Sequence, residues 1–172
     1  MGLFDMFQGD KTGNQDGMEP HFAFAASLLY LMGADGEYDN EELGHFLSII
    51  DGKSKGGMIY IGGDNDDLLE KTIAYISKNC LDIFLKEAIP SLTDAQKMCI
   101  LVNLIDFSLS DGTAVIEEQI MLKKFLNAFG VSEDRFRPFF EVIALKNDLS
   151  VFTNHTHTKN LLSKVELTNF YS

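Results

Sequence analysis

Asp35-Gly36-Glu37-Tyr38-Asp39-Asn40-Glu41-Glu42 is the stretch that decides the fold, because its skeleton returns 76 positions later as Asp111-Gly112-Thr113-Ala114-Val115-Ile116-Glu117-Glu118. Each copy reads Asp-Gly, four residues, Glu-Glu, and each lies between an apolar run and an amphipathic run. At the same offset Phe24 falls on Ile100, Leu28 on Leu104, Leu29 on Ile105, Phe46 on Leu122 and Ile50 on Leu126. A turn that repeats together with the apolar positions on both sides of it argues for internal duplication. The repeated unit is helix, acidic turn, helix.

Moving outward from the first turn, residues 20–32 are apolar almost without interruption and open on Pro20, which suits a first helical turn. A helix with almost no face left for water belongs at the centre of a bundle. Its thin polar edge, Ser27 and Tyr30, matches Asn103 and Asp106 in the second central helix, which opens with the capping box Thr93 to Gln96. Asp39 caps the helix after the first turn, with a stripe of Leu43, Phe46, Leu47 and Ile50. Gly52 to Gly63 reads as a glycine-rich loop around Met58-Ile59-Tyr60-Ile61. A helix then runs from Asn65 towards Ile89, with Leu69, Ile73, Ile76, Cys80, Ile83 and Phe84 on one side and a break at Asn79 or Cys80. The later helices are Val115 to Phe129, stopped by Gly130, and one from Ser132 with Phe136, Phe139, Phe140, Ile143 and Ala144 facing inward. Pro138 predicts a kink in the first turns of that last helix, and a short helix is expected around Asn160 to Leu167. The fold class is all-α, a bundle of two pseudo-repeated halves. Residues 1–18 form a leader with an apolar tip (Leu3, Phe4, Met6, Phe7), residues 19–148 the domain and residues 149–172 a polar tail.

A chain of 172 residues with 45% hydrophobic content can bury a core without disulfides or a structural metal. The net charge of −12 repels phosphate backbones, so nucleic acid is not an expected partner. The same field attracts divalent cations and basic protein surfaces. Cys80 and Cys99 fall on apolar stretches and read as buried thiols in a reducing compartment. With no signal peptide pattern and no run of roughly 20 apolar residues, the expectation is a cytoplasmic chain without a transmembrane segment.

The runs Ala34-Asp35-Gly36 with Glu41-Glu42, Ser110-Asp111-Gly112 with Glu117-Glu118, and Phe129-Gly130-Val131-Ser132 resemble the TerB family of tellurite-resistance proteins. The resemblance covers Phe22 to Phe140. It implies an all-helical fold in two halves and a role in tellurite resistance and stress response. It also implies an acidic face of Asp35, Glu41, Glu42, Asp111, Glu117 and Glu118 for divalent metal or partner contact. The family's domain also occurs in membrane-tethered J-domain co-chaperones, so a protein partner, membrane-associated in some cases, is expected.

The residues themselves leave three uses of the turns open. Asp35, Glu37, Asp39 and Glu41 alternate along the first turn, and a hard cation such as calcium takes about six to eight oxygens from such clusters. The candidate ligands are those four with Glu42, Asp106, Asp111, Glu117 and Glu118, and the candidate ions calcium first, then manganese or zinc. The first turn is not an EF-hand, since Asn40 stands at its glycine position and Phe46 at its bidentate glutamate. The second use is capping alone: acids in a first helical turn gain about 0.3–1 kcal/mol from the helix dipole. The third is a face for a protein. Asp64, Asp66, Asp67 and Glu70 read more simply as a capped helix start than as a cation site. Glu41 with His45 reads as a solvated pair, and His155 with His157 is too little for zinc. No nucleophile elbow, phosphate-binding loop or Cys/His site is present, so an enzyme is not expected. A metal-dependent hydrolase would need a pocket where Asp106, Asp111 and the first turn converge.

Overall fold

The structure is a computed structural model that describes residues 18–34, 36, 40–51, 65–110 and 114–164, with the backbone alone for residues 40–43, 45, 51, 65 and 66. The described chain is helical throughout, without a strand: α1 Pro20–Met32, α2 Asn40–Asp51, α3 Asn65–Ile76, α4 Leu81–Ala88, α5 Asp94–Ser108, α6 Ile116–Phe129, α7 Glu133–Asn147 and α8 Ser150–Thr153. Short 3₁₀ turns follow α4 (Ile89–Ser91) and α8 (Thr158–Leu161). The leader's first 17 residues, the glycine-rich loop and the last eight residues lie outside the described residues.

The two nearly all-apolar helices occupy the middle. Every residue of α1 from Ala23 to Leu29 is buried, as are Leu31 and Met32, and α5 buries Ile100, Leu101, Leu104, Ile105 and Phe107. They pack on each other; α1 also packs on α3, and α5 on α6 and α7. Of the apolar positions matched between the two turns, Phe24, Leu28, Leu29, Phe46 and Ile50 are buried, as are Ile100, Leu104, Ile105 and Leu122, while Leu126 packs partly buried against them. Phe84 of α4 sits among α1, α3 and α6, its ring 5.2 Å from that of Tyr30 and 6.4 Å from those of Tyr75 and Phe125.

Side-chain ties fix the direction of the outer helices. Arg135 at the start of α7 donates to Asp94 at the start of α5, with Nη1 to Oδ1 at 3.0 Å. Lys146 at the end of α7 donates to Asp106 near the end of α5 at 2.7 Å. Start meets start and end meets end, so α5 and α7 run parallel. The ring of Phe22 meets Tyr75 edge-on at 5.3 Å, and Tyr30 Oη donates to the carbonyl of Asn79, just past α3, at 2.6 Å.

The helix ends follow local chemistry. Thr93 Oγ1 accepts from Gln96 N while Gln96 Oε1 accepts from Thr93 N, the expected capping box. Ser132 accepts from Arg135 N and caps α7. Gly130 ends α6 with φ of +68°, and Gly36 has φ of +88° within the first acidic turn.

Several expectations are corrected. Residues 65–89 form two helices, divided where the break was expected: Ser77 to Cys80 leave the helical path and Asn79 Nδ2 folds back onto the Tyr75 carbonyl. Ile73 and Ile83, expected to face inward, are exposed, since α3 buries Thr72 with Leu68, Leu69, Tyr75 and Ile76 beside it, and Cys80 is the exposed N-cap of α4. Cys99 is exposed as well, on the side of α5 opposite its buried stripe. Phe139 is exposed, whereas Phe136 is buried and Phe140 partly so. The tail forms its turns earlier than expected, at Ser150–Thr153 and Thr158–Leu161, and α7 is helical through Pro138. Asp39 and Asp64, expected as N-caps, lie outside the described residues.

Candidate functional site

The second acidic turn leads directly into α6. Val115 is the N-cap but has no oxygen to accept a bond, so only half of a capping box forms: Val115 N donates to Glu118 Oε2 at 3.0 Å. Gln119 Nε2 donates to the carbonyl of Ala114 at 2.8 Å and tightens the same bend. Glu117, beside it in the first turn of α6, is exposed.

Asp106, the acid on the polar edge of α5, is turned towards α7. It accepts from Lys146 Nζ and from Asn147 Nδ2, the latter at 2.8 Å, and about a quarter of its side chain is exposed. The polar edges of α1 and α5 therefore play the same part. Tyr30 ties α1 to the chain just after α3, and Asp106 ties α5 to the end of α7. Ser27, matched to Asn103, bonds its own helix at Ala23 O, as Asn103 Nδ2 does at Cys99 O.

Of the nine candidate ligands, Asp106, Glu117 and Glu118 can be located. Two of these three are engaged in bonds within the protein. Asp35, Glu37, Asp39 and Asp111 lie outside the described residues, as do the side chains of Glu41, Glu42 and His45. Among the described residues no three His, Cys, Asp or Glu side chains are grouped to hold a metal ion. Asp67 pairs with Lys71 at 2.6 Å. His157 faces Asp148, with Nε2 at 3.4 Å, and its Nδ1 accepts from Lys159 N, so its role is to fasten the tail.

Two features were missed in the sequence. The first is an open apolar groove of about 630 Å³ between α5, α6 and α7. Ile105, Leu122 and Phe136 form its floor, Leu109, Leu126 and Phe140 its sides, and Gln119, Lys123, Glu133 and Arg137 its rim. The two cations of the rim are only loosely engaged: Lys123 Nζ is 3.9 Å from Glu133, and Arg137 reaches Asp134 at 3.3 Å. The second is an outward-facing apolar strip at the start of α6, Val115, Ile116 and Ile120, with Ile116 69% and Ile120 53% exposed. Ile116 and Ile120 are four apart and lie on one helical face, a spacing that was legible but was read only for its inward stripe.

Compared with known proteins, the chain matches no family, no curated protein and no solved structure. No helix among the described residues is long and apolar enough to cross a membrane.

Proposed function

We propose that this chain is a non-enzymatic, TerB-like helical domain acting in a stress response of the tellurite-resistance type, and that it binds a protein partner at the start of α6. The observation that carries the reading is the strip of Val115, Ile116 and Ile120 standing exposed beside Glu117. A helix start that served only as a cap has no need of large apolar side chains in water, whereas a contact face combines apolar area with charge at its edge. The partner that fits has an apolar surface bordered by Lys or Arg, drawn in by the net charge of −12. The two-half arrangement is supported by the shared burial of the matched apolar positions and by the corresponding ties at Tyr30 and Asp106.

A divalent cation, calcium first, belongs in this proposal to the first turn, with Asp35, Glu37, Asp39, Glu41 and Glu42 as its ligands. The second turn contributes less, because Asp106 and Glu118 are held by Lys146, Asn147 and Val115 N.

The test compares the unaltered chain with Ile116→Glu/Ile120→Glu as bait, with a thermal melt of each. Partners that are lost with the double variant while its melt is unchanged support the contact face; the same partners held by both baits overturn it. For the cation, chelator-treated protein is melted with and without millimolar calcium, manganese or zinc, and again as Asp35→Asn. A rise that the variant loses supports a site at the first turn, since a ligand of the native state alone must stabilise it. A flat response to all three ions removes the metal from the proposal.

A further inference from the structure

We infer that the groove between α5, α6 and α7 is the docking site of the chain's own leader, entered by Phe4 and Phe7. The groove is open and its floor of Ile105, Leu122 and Phe136 is apolar, so an occupant must bring apolar side chains in a compact cluster. The leader carries such a cluster in Leu3, Phe4, Met6 and Phe7, four apolar residues within five positions.

Charge selects the same pairing. The segment from α6 through α7 balances Glu117, Glu118, Glu133, Asp134 and Glu141 against Lys123, Lys124, Arg135, Arg137 and Lys146, so the chain's net charge of −12 resides wholly outside it. Its wall of the groove is therefore a surface that an acidic segment of this chain can approach without strong repulsion. The leader, with Asp5, Asp10 and Asp16 against Lys11, is such a segment.

Length permits it. The described chain begins at Met18, packed partly buried against the core, and the eleven residues from Gln8 to Met18 span up to about 36 Å when extended. A domain of this size has a radius of gyration of about 15 Å, so the tether is comparable in length to the breadth of the domain.

The test places a nitroxide on Gln8→Cys in the full chain, with Cys80 and Cys99 changed to Ser, and reads the methyl resonances of Ile105, Leu109, Leu122 and Leu126. Docking predicts that these four are broadened more than the methyls of Leu81 and Leu85 on α4. It also predicts that the effect survives tenfold dilution and weakens several-fold when Phe4 and Phe7 are both changed to Ser. Absence of broadening, or broadening centred elsewhere, overturns the inference. So does broadening that appears only when labelled chain is mixed with unlabelled isotope-enriched chain, which would assign the groove to a second copy. None of these readings depends on the contact face at α6, so failure here and failure of the proposed function are separable.

Discussion

Glu118 can be a cap or a ligand, and the two roles respond differently to small changes. As a cap it needs one oxygen to accept from Val115 N, which glutamine also supplies. Glu118→Gln is therefore expected to keep the stability of the domain, whereas Glu118→Ala loses about 0.5–1 kcal/mol. On a thermal melt that loss is about 1–4 °C for a chain of this size. Equal loss in both variants would point to a need for the negative charge. Asp106 is judged the same way: Asp106→Ala leaves Lys146 and Asn147 without their acceptor and is expected to cost about 1–2 kcal/mol, with or without chelator. A loss seen only with metal present would return Asp106 to the ligand set. Ser108 presents the opposite case, a buried hydroxyl with no hydrogen-bond partner among the described residues. Removing an unsatisfied polar atom relieves its desolvation cost, so Ser108→Ala is expected to leave the melt unchanged or raise it. A fall of more than about 1 kcal/mol would mean that the hydroxyl has a partner.

At the scale of elements, helix ends were legible because caps are written within three or four residues. Thr93 with Gln96, Ser132 and Gly130 all perform as read, whereas Val115 and Cys80, N-caps without an oxygen, depart from that chemistry. Gly130 has nothing within 4 Å of where a Cβ would stand, yet its φ of +68° disfavours any other residue. Gly130→Ala is thus expected to cost about 1 kcal/mol through the backbone alone, read as a lower urea midpoint at unchanged slope. What periodicity missed was the face, not the break: a single stripe carried across the bend expected at Asn79 or Cys80 placed Ile73 and Ile83 inside, and both are exposed. The tail's fastening is a further element that no local pattern announced, since it joins residues eleven apart through the carboxylate of Asp148, which accepts from Lys159 at 2.6 Å and from Ser150. The Lys159 ammonium, and then Ser150, hold the Asp148 carboxyl below the usual carboxylate range. A carboxyl lowered in the folded state contributes stability above its unfolded value, near 4, and loses it as pH falls through the folded value. Residues 150–164 are therefore expected to leave α7 in acid before the core melts, and Asp148→Asn to abolish the acid dependence of that step, followed by residue-resolved NMR from pH 6 to pH 2.

For the molecule as a whole, the all-α class and the central place of α1 and α5 could be read from two stretches with no polar face, because burial on every side leaves only one location for a helix. The groove could not, since it is a product of how three helices diverge. Phe84 at the junction of α1, α3, α4 and α6 shows what packing adds to pattern. It is fully buried among Tyr30, Tyr75 and Phe125, and Phe84→Ala is expected to cost about 3–5 kcal/mol, measured by urea unfolding. The two ties that hold the outer helices to the central ones differ in kind, and this difference sets an order of opening. On one side a phenol donates to the Asn79 carbonyl, a neutral bond indifferent to ions; on the other a carboxylate holds an ammonium. Salt acts on the second alone. Amide hydrogen exchange would then show the end of α7 exchanging faster as ionic strength rises while the end of α3 keeps its rate, making the two ends separate cooperative units of unequal endurance.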